Sequence, residues 1–363
     1  MSEISGKLGL LRALANRYSL DAILLQRVSS IAWATGGASA YVNIARSNAE
    51  ASLLISRDDQ YLVTNNIEAG RLDNEEGLAS QGWDFQITPW FEKETHLQRL
   101  TKGQKLGTDY YFPGALDLSE EIARLRAKLN LEEDNRFRIL GQLCAQAMDA
   151  TAKSVHPGQT EHEIAGVLAG EAESRGVQAT VNLIAVDERV SNYRHPLPTD
   201  KKLEHYVMIV LCGRRWGLVC SLTRLVHFGQ LPDELSHKKD AVAHVDAAMI
   251  AATRPGRTLG QIFEDAQNAY AEVGYADEWQ WHHQGGPAGY EPREYIAIPG
   301  STDKVTVGQV YAWNPSITGC KSEDSVLVGA DGFEVLTAIP SWPTIKVELA
   351  DQTIERPDIL VME

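Results

Sequence analysis

Residues 279–295, WQWHHQGGPAGYEPREY, concentrate side chains that could bind a metal ion. His282 and His283 are adjacent, and protein zinc sites usually combine about four His, Cys or carboxylate ligands. In an extended segment, however, neighbouring side chains point to opposite faces, so these two are not expected to face one ion. We therefore expect them to cap a turn or to stack on Trp279 or Trp281, with a relocated metal site as the alternative.

A third histidine, His195, lies in the sequence Tyr193-Arg194-His195-Pro196. The proline restricts the backbone beside the imidazole and would help to fix its orientation. Histidine titrates nearest to neutral pH, which suits it to proton transfer. A single histidine can equally be structural, and the residues alone leave both roles open.

The composition excludes several classes of protein. The 363 residues carry 34 basic and 49 acidic side chains, and the formal net charge of −15 would repel phosphate backbones. No apolar run approaches the roughly 20 residues that a membrane-spanning helix needs. The four cysteines form no CxxC pair and are expected to be free thiols. We expect a cytoplasmic protein that binds a small molecule and neither nucleic acid nor a membrane.

The pattern of elements changes partway along the chain. Residues 20–65 alternate short apolar runs with turns, and an α/β pattern continues after them. From Leu118 onwards the sequence is strongly helical for about 35 residues, with Ser119 as the expected N-cap. A chain of this length favours roughly two domains. We place them at residues 1–117 and 118–363.

The second domain contains an internal repeat. HPGQTEHEIAG at 156–166 and RPGRTLGQIFE at 254–264 both contain Pro-Gly-x-Thr-x-x-x-Ile. Thr-Asp-Lys followed by an apolar run then occurs at 199–211 and again at 302–314. Two copies of one α+β unit would place their two sheets side by side, with a cleft between them.

These features resemble the creatinase/prolidase/methionine aminopeptidase family, whose fold is called pita-bread. The resemblance extends over nearly all of the chain and rests on four motifs: HPLPTDKKL at 195–203, SLTR at 221–224, residues 285–294, and SEDSVLV at 322–328. It implies an α+β protein, with a smaller N-terminal α/β creatinase-like domain before a duplicated pita-bread domain. It also implies a homodimer in which each small domain caps the partner's cleft, with Arg46 or Tyr41 as candidates to reach it.

Active peptidases of this family bind two divalent metal ions through two Asp, one His and two Glu. The resemblance places these ligand positions, in the same order, at Val210 or Leu211, Ser221, Gly286, Asn314 and Glu323. Only Glu323 keeps a ligand side chain. One carboxylate and one amide cannot hold a pair of metal ions, so we expect no metal or other cofactor.

The same resemblance implies roles for the residues that remain. Creatinase, a metal-free member, cleaves a C–N bond with the histidine and glutamate that correspond to His195 and Glu323, so we expect both to be catalytic. Arg293 replaces a family histidine that contacts substrate; it could bind a carboxylate, or form a surface ion pair with Glu291 or Glu294. Further expected substrate contacts are Asn314, Ser221, Thr223, Tyr290 and Arg46.

Three functions are compatible with these observations. The first is a metal-independent hydrolase or lyase that cleaves a C–N bond of a small carboxylate-bearing amine or amide, as creatinase or an Xaa-Pro peptidase does. The second is a non-catalytic binding module, and the third is a metallopeptidase with relocated ligands. The first predicts that His195 and Glu323 lie within about one side chain of each other, facing Arg293. It also predicts that the carboxylate raises the pKa of His195.

Overall fold

The computed structural model describes residues 2–363, apart from the side chains of Lys93 and Glu94, and divides into two compact units. The first unit runs to Glu133 and includes Trp216–Leu218, and the second comprises Asp134–Arg215 and Val219–Glu363. The division falls later than the predicted junction at residue 118. The reason is the helix after residue 118, whose Arg126 donates a buried hydrogen bond to Ser30 of the first unit.

A single six-stranded sheet forms the centre of the first unit. Its strands are β1 (Ala22–Arg27), β2 (Asn48–Ser56), β3 (Gln60–Asn65), β4 (Asp84–Thr88), β5 (Leu106–Thr108) and β6 (Leu116–Asp117). They lie in the order β4-β3-β2-β1-β5-β6. The helices of this unit are α1 (Glu3–Arg17), α2 (Val28–Ala34), α3 (Ala69–Asn74), α4 (Lys93–Leu100) and α5 (Ser119–Arg126). This arrangement confirms the smaller N-terminal α/β domain.

The predicted long helical block is broken into two helices. α5 ends at Arg126, and the next helix, α6 (Leu131–Ser154), begins after a short break. Ser119 is the first helical residue rather than the cap, because Leu118 occupies the N-cap position. Asn130 and Glu133 exchange hydrogen bonds between side chain and backbone at the break, which starts the new helix.

The second unit contains two four-stranded sheets, in the orders β18-β9-β8-β7 and β10-β11-β14-β15, and two two-stranded sheets, β12-β13 and β16-β17. The strands are β7 (Gln178–Val186), β8 (Tyr206–Arg215), β9 (Leu218–Phe228), β10 (Gly285–Ala288), β11 (Val310–Trp313), β12 (Ser316–Ile317), β13 (Cys320–Lys321), β14 (Asp324–Val328), β15 (Phe333–Val335), β16 (Thr344–Glu348), β17 (Thr353–Pro357) and β18 (Leu360–Met362). The remaining helices are α7 (Glu161–Glu173), α8 (Glu188–Asn192), α9 (Asp233–Ala252) and α10 (Leu259–Glu272), and a 3-10 turn spans Glu278–Trp281.

The two copies of the repeat make the same local hydrogen bonds. Thr160 caps α7 and Thr258 caps α10, each in a capping box with the third helical residue. Each threonine also forms an isolated antiparallel bridge, to Lys202 in the first copy and to Lys304 in the second. The Thr-Asp-Lys segments therefore occupy matching positions beside matching helices, as the duplicated unit predicts.

Hydrogen bonds between β9 and residues 323–325 join the two sheets. Thr223 of β9 forms an isolated antiparallel bridge with Glu323, which lies between β13 and β14. The Thr223 amide donates to the Glu323 carbonyl at 3.1 Å, and the Ser221 amide donates to the Ser325 hydroxyl at 2.9 Å. This junction brings residues about 100 positions apart in sequence into direct contact.

Apolar side chains from both halves fill a shared core in the second unit, including Val210, Val245, Ile262, Tyr311 and Val326. Their burial is the main favourable contribution to the folding of this unit. Within residues 2–363, each helix is either too short or too polar to cross a bilayer.

Candidate functional site

The centre of the site is the buried carboxylate of Glu323. Its Oε2 accepts hydrogen bonds from the Thr223 hydroxyl at 2.6 Å and from Lys321 Nζ at 2.7 Å. Its Oε1 accepts one from Arg293 Nη2 at 2.9 Å. The side chains of Glu323, Lys321 and Arg293 are 3%, 6% and 8% exposed, so both ion pairs are shielded from solvent. We call these three residues the charged cluster.

Two opposing effects act on the Glu323 carboxyl. Burial by itself would raise its pKa, but the positive charges of Lys321 and Arg293 outweigh burial, and the hydrogen bonds from Lys321 and Thr223 act in the same direction. The net result is a pKa well below the usual range of a glutamate. Glu323 is therefore ionised at neutral pH, and the charged cluster of two cations and one anion carries one net positive charge.

Sequence reasoning missed Lys321 and misjudged the partner of Arg293. The expected surface ion pair of Arg293 with Glu291 or Glu294 is wrong, because Arg293 pairs with the buried Glu323. Its expected contact with a substrate carboxylate stays a prediction. Its Nη1 also donates to the Ser221 hydroxyl at 3.2 Å. Lys321 could have been found, because it lies two residues before Glu323 and side chains at that spacing share a face of extended chain.

Three histidines lie together beside the charged cluster. His195 Nε2 and His282 Nε2 are 3.0 Å apart, and one possible ligand atom from each of His195, His282 and His283 lies within 4.8 Å of the others. The rings of His282 and His283 stack with centroids 4.6 Å apart. We call these residues the histidine cluster.

The expectation that His282 and His283 point apart is wrong, as is their stacking on tryptophan. The two residues do not lie in a regular strand: His282 follows the 3-10 turn in a bend, and β10 begins only at Gly285. The alternation of faces applies to regular strands, so it does not constrain this segment. Trp279 packs edge-on against Phe263 instead.

His195 is the most accessible part of this group. It is exposed, while His282 is 8% exposed. The neighbouring Arg194 pairs with Glu278 and donates to the Thr318 hydroxyl, which fixes the segment that carries His195. This anchoring holds the His195 backbone in place.

The pKa of His195 shifts in the direction opposite to the prediction. Partial burial lowers it, Lys321 and Arg293 lower it further, and only Glu323 acts to raise it. Within the described chain, the hydrogen-bond partners of the Glu323 carboxylate are Thr223, Lys321 and Arg293, so the carboxylate does not orient the imidazole directly. Burial, followed by nearby positive charge, also lowers the pKa of His282 to about 2 and that of His283 to about 4.

The other predicted contact residues occupy different surroundings. Ser221 is fully buried and contacts both Arg293 and the Cys212 sulfur. Asn314 is 3% exposed, and its Oδ1 is buried without a hydrogen-bond partner among residues 2–363. Tyr290 is 2% exposed, and its amide donates to Glu294. Arg46 lies in an exposed turn of the first unit.

The residues at the five expected ligand positions do not fit a two-metal centre. Glu323 supplies the one carboxylate, and both of its oxygens already accept hydrogen bonds from cationic side chains. At Gly286 even a Cβ atom would lie 2.3 Å from the Tyr295 carbonyl oxygen, so no side chain fits there. Leu211 and Ser221 offer no charged ligand.

Two cavities of the second unit lie away from the histidine cluster. One of about 480 Å³ is lined by α6 and residues 334–341, and another of about 330 Å³ includes Trp342 and Arg356 in its wall. Neither contains a member of the histidine cluster. We assign the site from its titratable groups rather than from cavity size.

Residues 135–330 match the family model described as metallopeptidase family M24, and residues 7–130 match the creatinase/prolidase N-terminal domain. An uncharacterized peptidase of Staphylococcus haemolyticus is 26% identical over 244 residues, which cover 64% of this chain and 68% of that protein. The prolidase from Pyrococcus horikoshii OT3 has the same fold, with a TM-score of 0.78 at 19% identity, covering 92% of this chain and 98% of that chain. The Xaa-Pro dipeptidase from Bacillus anthracis gives 0.79 at 17% identity, covering 99% and 100%.

Proposed function

The chain belongs to metallopeptidase family M24, and on that premise we propose that it is a hydrolase that works without the two-metal centre of the family. Its reaction is cleavage of a C–N bond in a small amine or amide that carries a carboxylate. The single observation that carries this proposal is the exposed His195 imidazole beside a buried charged cluster with one net positive charge.

The charged cluster takes over the electrostatic role of the missing metal ions. Two side-chain cations surround the one surviving ligand carboxylate and leave an excess of positive charge in a buried setting. Electrostatic interactions are stronger there than in water, so the excess attracts a carboxylate of the substrate. The buried Arg293 Nε, which has no hydrogen-bond partner among the described residues, and the similarly unpartnered Asn314 Oδ1 add a donor and an acceptor for a polar ligand.

His195 supplies the proton transfer. Its lowered pKa keeps the imidazole neutral at pH 7, the form that can accept a proton from water. Water adds to the trigonal carbon of an amide or guanidino group and gives a proton to His195. The C–N bond then breaks as the imidazolium returns the proton to the leaving nitrogen. Lys321 and Arg293 stabilise negative charge that develops during this addition. Glu323 holds these two cations in place. This role differs from the expected one, in which Glu323 takes part in catalysis beside His195.

The proposed setting is the cytoplasm, because all four cysteines are free and buried thiols. The peptidase names of the relatives favour dipeptides, including Xaa-Pro dipeptides, as the first substrates to test.

The test is a substrate panel assayed in EDTA: Xaa-Pro dipeptides, N-acyl amino acids and guanidino acids, with products identified by mass spectrometry. We expect turnover of at least one class, its loss in His195→Gln with substrate affinity largely retained, and a raised KM in Arg293→Lys. His237→Gln, on the exposed face of α9, is the matched control and should leave both constants unchanged. If calorimetry shows that panel members bind but none is turned over, the protein is a binding module and the hydrolase proposal fails.

A further inference from the structure

We propose that His195, His282 and His283 form a binding site for a single transition-metal ion of the Zn²⁺ or Co²⁺ type. None of the three occupies one of the five positions that correspond to the two-metal centre. The site is therefore additional to the proposed function.

The nitrogen atoms of the histidine cluster are spaced nearly as in a three-histidine site, although the stacked rings of His282 and His283 must rotate to aim at one ion. Nitrogens bound to one Zn²⁺ lie about 2.0–2.1 Å from the ion, which puts them roughly 3.4 Å apart in a tetrahedral site. The closest pair, His195 Nε2 and His282 Nε2, is already 3.0 Å apart. All three ligand atoms lie within 4.8 Å of one another, so a pair at that limit must close by about 1.4 Å, a movement that side-chain rotation can provide.

The buried imidazole of His282 is hydrogen-bonded on one side only, among the residues that the structure describes. Two neutral imidazoles that face each other through Nε2 can share only one proton between those atoms. His282 is 92% buried, since its exposed fraction is 8%, and its Nδ1 has no hydrogen-bond partner in the described chain. A metal ion between the rings would bind both Nε2 lone pairs at once, and three imidazoles plus water would complete four-coordination.

The surrounding charges determine which ions can bind. Lys321 and Arg293 oppose any cation, and Glu323 offsets only one of them. Binding must therefore come from strong metal–imidazole bonds rather than from charge attraction. Zn²⁺, Co²⁺, Ni²⁺ and Cu²⁺ form such bonds, whereas Mg²⁺ and Ca²⁺ require oxygen ligands that this cluster does not offer.

A bound ion would also control the reaction proposed above, and this consequence rests on that proposal. The imidazole nitrogen of His195 cannot bind a metal and accept a proton at the same time. Occupation of the site would therefore inhibit a metal-independent hydrolase, in contrast to the activation expected for a two-metal enzyme.

The experiment is a titration of the EDTA-stripped full-length protein with Co²⁺, followed by visible absorption, and with Zn²⁺, followed by calorimetry. We expect one equivalent to bind, with the intense bands of four-coordinate Co²⁺, and no binding of Mg²⁺. His282→Gln and His283→Gln should each weaken binding at least tenfold, while His237→Gln should not. Glu323→Gln, checked for folding by circular dichroism, should bind Co²⁺ more weakly, because Glu323 offsets one of the two cations. At saturating Co²⁺ it should keep the absorption bands, because the carboxylate is not a ligand.

Three results would overturn the proposal: no stoichiometric Co²⁺ binding, binding that survives substitution of His282 and His283 together, or loss of the bands in folded Glu323→Gln at saturating Co²⁺. The third result would assign the ion to the two-metal positions instead. No substrate is needed in this titration, so its outcome is independent of whether the proposed hydrolysis occurs. If the panel identifies a substrate, full turnover of that substrate by the Co²⁺-loaded protein would refute the inhibitory role of the bound ion.

Discussion

The charged cluster shows how side-chain cations can stabilise a buried carboxylate. A buried carboxylate is costly unless it is paired, and the family resemblance implies a metal ligand at the position of Glu323. Here Lys321 and Arg293 pair with Glu323 at 2.7 and 2.9 Å. The retention of Glu323 therefore has a structural reason that does not depend on its being catalytic.

The lowered pKa of Glu323 makes the stability of the protein depend on pH. Below the ordinary glutamate pKa of about 4.3, the unfolded chain binds a proton that the folded chain does not, so stability falls as pH falls. Glu323→Gln lacks this contribution and leaves two cations unpaired, at a cost of about 3–5 kcal/mol at pH 7. We expect the difference in free energy of unfolding between wild type and variant, measured in urea, to shrink by about 1.4 kcal/mol per pH unit below that pKa.

The matched control for this measurement is Glu334→Gln. Glu334 pairs with Arg138 at 2.9 Å, but both side chains are exposed, so the change should cost no more than about 1 kcal/mol. A gap between wild type and Glu323→Gln that stays constant from pH 7 to about 3.5 would show that the carboxyl titrates normally in the folded protein.

At this scale the sequence identified most participants but not their contacts. His195, Ser221, Thr223, Arg293 and Glu323 all lie at or beside the two clusters. Their pairing depends on where segments 30 to 100 residues apart meet, and no local pattern encodes that. The direction in which a histidine side chain points from a bend cannot be predicted either, because only regular helices and strands have a periodic pattern.

At the scale of elements, the close approach of β10 to its neighbours excludes side chains. A Cβ at Gly286 would lie 2.3 Å from the Tyr295 carbonyl oxygen, and one at Gly285 would lie 2.1 Å from that of Ala312. Gly286→Ala should therefore cost about 3 kcal/mol of unfolding free energy in urea. Gly286→His, which restores the family's ligand type, should be still less stable and should recover no two-metal site.

Gly166→Ala is the control for this substitution. Gly166 lies inside α7 with open space around its Cα, so alanine should stabilise the protein by about 0.5–1 kcal/mol. Equal stability of Gly286→Ala and wild type would mean that β10 can move away from residue 295. A histidine side chain could then fit at position 286, contrary to our conclusion.

The capping boxes at α7 and α10 provide a test of the repeat. Thr258 accepts a hydrogen bond from the Gln261 amide at 3.2 Å, so Thr258→Ala should cost about 1 kcal/mol, and Thr160→Ala should behave alike. Gln261→Glu keeps the cap and adds a negative charge at the helix N-terminus, which should stabilise by about 0.3–1 kcal/mol. If thermal unfolding shows no loss of stability for Thr258→Ala, the capping box of α10 does not stabilise the second copy of the repeat.

The repeat was predictable because its signals are local. Pro-Gly-x-Thr fixes a turn and a helix start within a few residues, and both copies form the same capping box. The break between α5 and α6 was not predicted, because helical propensity is favourable on both sides of it. The late boundary of the first unit has the same origin, since tertiary packing of α5 decides it.

At the scale of the whole molecule, we predict a homodimer in which the first unit of one subunit approaches the site of its partner. The resemblance to two-domain family members is one reason. The second is the turn around Arg46, where Val42 and Ile44 are 67% and 50% exposed. Exposed apolar side chains in one loop are typical of an interaction surface, and burying each would contribute roughly 1.5–3 kcal/mol.

Sedimentation equilibrium at micromolar concentration tests this arrangement. We expect twice the chain mass of 40.0 kDa for wild type and the single-chain mass for Val42→Asp/Ile44→Asp, because two buried carboxylates oppose association. Val307→Asp, at a 47% exposed position of the second unit, is the control and should stay dimeric. Arg46→Ala should also remain a dimer, and a raised KM in this variant for the panel substrate would place Arg46 at the partner's site. A wild-type monomer under these conditions would contradict the prediction and confine the site to a single chain.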